Sequence, residues 1–84
     1  MILSRNRIME LVREDGEKEK TMPLYDTAKL SSYDMRLEMD RDSGNYYYLI
    51  PMSSLVGKDV DENLISDYDW KYSKENDAIT FFID

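Results

Sequence analysis

The chain has 84 residues, a formal charge of −7, and neither cysteine nor histidine. This excludes disulfides and thiolate–metal staples, and it removes the usual general base near neutral pH and the commonest zinc ligand. A single domain spanning 1–84 is expected, and at this size it buries about 60–65% of its unfolded surface, so its core is modest.

The first predicted element is a helix. Ser4 offers a hydroxyl to the amides of a first turn. Ile8, Leu11 and Val12 then follow at helical spacing, with Met9 beside them. Glycine tolerates a left-handed helix end, so the helix is expected to stop near Asp15-Gly16. Arg5 and Arg7 sit in its first turn, and Glu14 and Asp15 in its last. That polarity opposes the helix dipole and costs a few tenths of a kcal/mol per charge, roughly, so packing of the apolar stripe must offset it. Glu17-Lys18-Glu19-Lys20 has no apolar member and reads as an exposed loop, closed by Pro23.

From Ser31 the period changes to two. Tyr33, Met35, Leu37 and Met39 alternate with Asp34, Arg36, Glu38 and Asp40, the pattern of a half-buried strand with one charged face. Asp42-Ser43-Gly44-Asn45 predicts a turn into a second strand over Tyr46–Met52, where Pro51 ends the ladder or lies on an edge. Ser53 to Lys58 is a connector containing Gly57. Asp61 is placed to cap a short helical turn through Leu64 and Ile65. Trp70 and Tyr72 alternate with Lys71, and Lys74-Glu75-Asn76-Asp77 is turn chemistry. Ile79, Phe81 and Ile83 form a last strand, with Thr80 and Phe82 on its other face. The expected fold class is α+β. An N-terminal helix packs on an antiparallel sheet of about four strands built from two β-hairpins, with room for a short second helix.

Several chemistries fail on spacing. Asp40-Arg41-Asp42-Ser43-Gly44-Asn45 begins like a calcium loop but puts glycine fifth instead of sixth, and Pro51 where a bidentate glutamate is needed. Asp59-Val60-Asp61-Glu62-Asn63 supplies three oxygen ligands at alternate places, then Leu64 where glycine must be and Trp70 in the twelfth place. Gly57-Lys58-Asp59 lacks the upstream glycine and the hydroxyl residue of a phosphate-binding loop. No serine lies in a nucleophile elbow, and no histidine is present to activate one. Carboxylates are plentiful, but on a solvated face they are not tuned acids, and a domain this small has little cleft to bury them.

Two features remain. The first is acid concentrated at one end. Residues 59–84 hold eight acidic groups and two lysines, a net of −6, whereas residues 1–20 sum to zero. Such a surface repels nucleic-acid backbones and anionic membranes and attracts a basic partner; equally, it is a solvated face that prevents aggregation. The second is the run Tyr46-Tyr47-Tyr48. On a strand Tyr47 points opposite to its neighbours, so one tyrosine face meets solvent or a partner, unless a single tyrosine covers the far side of a thin sheet. Exposed tyrosine beside acid is an interface composition, with the wrong charge for stacking nucleic acid.

The first 38 residues also resemble the dCTP deaminase branch of the dUTPase superfamily. The resemblance rests on Met1-Ile2-Leu3-Ser4 leading into a helix with Ile8, then Pro23, then Ser31-Ser32-Tyr33-Asp34-Met35-Arg36-Leu37. That family's strand normally runs on into a glycine, where this chain has Glu38, and nothing from residue 40 onward is similar to the family's nucleotide site or catalytic glutamate. The resemblance therefore implies a remodelled or truncated relative without the site. In it Asp34 and Arg36 are structural or near a subunit interface and not catalytic.

These observations predict a non-enzymatic acidic binding protein with no cofactor and no metal. It would occupy a basic, nucleic-acid-binding surface of a partner protein, as small inhibitors of the phage anti-CRISPR or anti-defence kind do. Asp59, Asp61, Glu62, Asp67 and Asp69 are the expected phosphate mimics, with Tyr46, Tyr47 and Tyr48 as further partner-binding residues. The alternative that follows the resemblance is a non-catalytic regulator or assembly partner of a nucleotide-metabolising enzyme. A third reading is a homodimer paired through an exposed strand edge. No apolar run approaches the roughly 20 residues of a membrane span, and the apolar part of Met1-Ile2-Leu3-Ser4-Arg5 is too short for a signal peptide, so a cytoplasmic location is expected.

Overall fold

A computed structural model describes residues 2–13, 28 and 30–82. Helix α1 spans Arg5–Arg13. It starts where the sequence places its cap: the Ser4 Oγ accepts from the Arg7 N–H at 3.2 Å, and the Ser4 carbonyl accepts from the Ile8 N–H at 3.1 Å. Ile8, Leu11 and Val12 are buried on one face. The expected stop at Asp15-Gly16, the run 17–20 and Pro23 lie outside the described residues.

The sheet has four antiparallel strands in the order β1-β2-β4-β3. They are β1 Arg36–Met39, β2 Tyr46–Pro51, β3 Lys71–Ser73 and β4 Ala78–Phe82. Two hairpins build it, as the turn chemistry predicts. In the first, the Asp40 carboxylate accepts from the Asp42 N–H at 3.3 Å and from the Ser43 hydroxyl at 2.9 Å. Gly44 takes a φ of +75°, which strains any residue with a Cβ. Pro51 sits at the far end of β2 opposite Ala78, past the last pairing with β1, so its missing N–H interrupts no central ladder.

Between the hairpins the chain passes a 3₁₀ turn at Met52–Ser54 and a second short helix, α2, at Asn63–Ser66. The Asp61 carboxylate accepts from the Asn63 N–H at 3.1 Å at the start of α2, as expected of it. The connector also clips down the N-terminus: the Gly57 N–H donates to the Leu3 carbonyl at 2.8 Å, and the Leu3 N–H donates to the Lys58 carbonyl at 3.3 Å.

Helices and connector cover one face of the sheet. Ile50, Ile79 and Phe81 rise from that face to meet Ile8, Leu11, Leu64 and Ile65, with Trp70 fully buried among them. Trp70 donates its indole N–H to the Leu64 carbonyl at 3.0 Å, so the burial leaves no polar atom unpaired. Phe81 meets both Trp70 and Tyr68 edge to face, at centroid separations of 5.6 and 6.0 Å.

One predicted strand is corrected. The alternating run from Tyr33 does not form a strand over its whole length, and β1 is not half-buried. Ser31–Tyr33 is a 3₁₀ turn, and Asp34 follows it at a φ of 60°, so extended pairing begins only at Arg36. All four residues of β1 are exposed, with Leu37 at 58% and Met39 at 52%. Both point to the core side of the sheet, because Leu37 pairs with Tyr48 and Tyr48 with core residue Phe81. Exposure on that side means that, among the described residues, the helical layer does not reach β1.

Candidate functional site

The five acidic residues singled out in the sequence frame α2, and the structure divides them. Asp59, Asp61 and Asp67 are exposed. Asp59 and Asp61, with Val60, Glu62 and Asn63, line one shallow concavity of about 510 Å³. Glu62 is turned inward and takes the Arg7 guanidinium at 3.1 and 3.4 Å. Asp69 lies 3.1 Å from the Lys71 ammonium. Two of the five carboxylates are therefore spent on internal ion pairs, and no ion pair holds Asp61 or Asp67 among the described residues.

Arg7 explains how α1 tolerates cations in its first turn. It bridges Glu62 and Glu10, and hydrogen bonding to these carboxylates, Glu62 foremost, raises its pKa further. Arg5 does the same with Asp77 at the β3–β4 turn, through two contacts of 2.8 Å. The Tyr72 hydroxyl donates to the same carboxylate at 2.7 Å. Hydrogen bonding from Arg5, then from Tyr72, pulls the Asp77 carboxyl down to about 2. The bond to Asp77 in turn pushes the Tyr72 phenol up. Among the described residues this trio has the most perturbed acid, and its geometry is that of a staple between α1 and the second hairpin. Sequence reading did not find it, because 72 positions separate the two charges.

The three tyrosines fall on two faces, as strand alternation requires. Tyr46 is 52% exposed on the core side, where it pairs with Met39. Tyr48 is half-buried and packs against the core. Tyr47 faces the other way. On that outer face Tyr47, Leu49 and Pro51 floor a concavity of about 420 Å³, rimmed by Asp34, Arg36, Glu38, Ser53 and Asn76. Arg36 is drawn to Asp34 at 2.8 Å along one wall. The acidic concavity and the outer-face concavity that holds Tyr47 share no lining residue.

Among the described residues no three carboxylates converge as a metal site would require, and no helix is long and apolar enough to cross a membrane. Asp40, which opens the calcium-like run, has its carboxylate engaged by the turn itself. No protein-family model, curated protein or solved structure matches the chain.

Proposed function

We propose that this domain is a non-enzymatic binding protein that docks on a basic surface of a protein partner and competes there with nucleic acid. The observation that carries the reading is the state of the carboxylates around α2. Asp59 and Asp61 stand exposed on one concave surface, and neither Asp61 nor Asp67 is neutralised by an ion pair among the described residues. Exposed carboxylates fixed to a folded turn present negative charge at defined points, as a phosphate backbone does. Opposite charge spread over such a surface speeds association and makes it salt-sensitive. Glu62, largely covered and held by Arg7, supports the surface from within, and Asp69 is partly neutralised by Lys71 at its margin.

The test is capture of basic partners from extract by the immobilised domain, at low and at high salt, with duplex DNA as competitor. Capture that salt and DNA both abolish, and that falls when Asp59, Asp61 and Asp67 are changed together to asparagine, supports the reading. A partner retained equally at high salt, or indifferent to DNA, would sink it.

A further inference from the structure

Strand β1 is an outer strand of the sheet and leaves one side of its backbone unpaired among the described residues. Alternation fixes which groups lie there. The Asp40 N–H donates inward to Asn45 at 2.8 Å, so residues 36, 38 and 40 bond toward β2. The N–H and C=O groups of Leu37 and Met39 therefore point outward, and those of Met35 continue the series. The opposite edge, β3, is only three residues long and carries Lys71, a common protection against pairing. Edge β1 is one residue longer, its two charges, Arg36 and Glu38, are opposite in sign and so can pair between copies, and it presents Leu37 and Met39 at more than half exposure, with Tyr46 beside them.

The sequence Met35-Arg36-Leu37-Glu38-Met39 is complementary to itself when reversed. We infer that β1 is a self-association edge, at which two copies of the chain pair antiparallel about a two-fold axis through Leu37 and join their sheets into one of eight strands. In that register Leu37 faces the second copy's Leu37, and Met35 faces its Met39, all on the core side. Arg36 faces the second copy's Glu38 on the outer side, and the reciprocal pair forms by symmetry. The outward N–H and C=O groups of residues 35, 37 and 39 become the ladder.

Other registers fail on charge or geometry. A slip of one residue sets the apolar side of one copy against the charged side of the other. Centring on Arg36 or on Glu38 opposes each charge to its own copy. Centring on Met39 sets Glu38 against Asp40. Centring on Met35 needs Asp34 in the ladder, and Asp34 has left the strand at a φ of 60°. That same bend, with the hairpin turn at Asp40, places the remaining like-charged neighbours, Asp34 and the second copy's Asp40, beyond the ends of the ladder.

Charge reversal tests this with a readout that a merely disturbed fold cannot give. Sedimentation equilibrium of the full chain over a wide concentration range should show self-association to twice the 10.0 kDa monomer mass. Glu38→Arg alone places arginines against each other, and Arg36→Glu alone places glutamates; each should weaken self-association about tenfold or more. An equimolar mixture of the two variants should restore the dimer, because arginine then meets glutamate at every position. The inference is overturned if the natural chain stays monomeric throughout the range, if either single variant dimerises unchanged, or if the mixture of folded variants stays monomeric.

Discussion

Arg5 and Asp77 meet face to face, guanidinium on carboxylate, through two parallel contacts of 2.8 Å that join the first turn of α1 to the turn between β3 and β4. The Tyr72 hydroxyl completes the carboxylate's shell at 2.7 Å. An exposed ion pair is ordinarily of little consequence, but bidentate geometry and a third donor fix this one in place. It ties the element most remote in sequence to the second hairpin, where chain connectivity does nothing to hold the two together.

A pH dependence follows with a definite sign. The folded Asp77 carboxyl titrates near 2, below its ordinary 3.8, so folding favours the ionised form. Its contribution is complete above about pH 5 and is lost progressively as pH falls through 2. Denaturant unfolding across that window should show the natural chain losing stability more steeply than Asp77→Asn, the gap between the two curves narrowing down to pH 2 and below. Asparagine tolerates the φ of 48° at this position, so the substitution isolates the charge. A gap that stays constant from pH 6 to pH 2 would show that the pairing does not govern the titration.

Trp70 is the largest fully buried side chain among the described residues. Its indole N–H satisfies the carbonyl of Leu64, the second residue of α2, at 3.0 Å. Trp70→Phe removes the donor, leaves that carbonyl unpaired and opens a void, which together cost about 2–5 kcal/mol. Ile8→Val deletes a single methyl from the α1 stripe and should cost about 0.5–1.5 kcal/mol. Urea midpoints that rank the two in the reverse order would displace Trp70 from the centre of the core.

Local signals were readable in the sequence, and contacts distant in sequence were not. The cap at Ser4, the α1 stripe, both hairpin turns and the opposite facing of Tyr47 all follow from periodicity and turn chemistry. Periodicity tells which side a residue faces but not whether anything covers that side. Leu37 and Met39 have the alternation of a buried face and yet are exposed, because among the described residues the helical layer ends short of β1. Leu3, Leu55 and Val60 are core residues in irregular segments, where no period exists to mark them. In the candidate site the acidic segment was visible as composition. Its division into paired and unpaired carboxylates was not, since it depends on Arg7 from a helix 55 positions away.

The first hairpin gives a prediction about backbone strain alone. Gly44 holds a φ of +75°, and a Cβ built there meets nothing within 4 Å. Substitution costs are therefore conformational and not steric. Gly44→Ala should destabilise by about 1–2 kcal/mol, Gly44→Asn by less, and Gly44→Val by the most. If alanine and asparagine prove equal in thermal unfolding, the left-handed conformation at this turn does not set the cost.

The carboxylates around α2 separate folding from binding. Asp67 is exposed, with no ion pair to break among the described residues, so Asp67→Asn should unfold within about 0.5 kcal/mol of the natural chain. Asp61→Asn should also fold normally, because the asparagine side-chain oxygen still accepts from the Asn63 N–H. Glu62→Gln differs: it weakens the anchor of Arg7 and should lower stability below that of both aspartate variants. Binding to a basic partner should show the opposite order, with Asp61→Asn and Asp67→Asn slowing association at low salt and Glu62→Gln leaving it nearly unchanged. The two rankings are read from urea unfolding and from association rates. A Glu62→Gln variant that binds as poorly as the aspartate variants while folding as well as they do would move the contact surface onto Glu62 and away from Asp61 and Asp67.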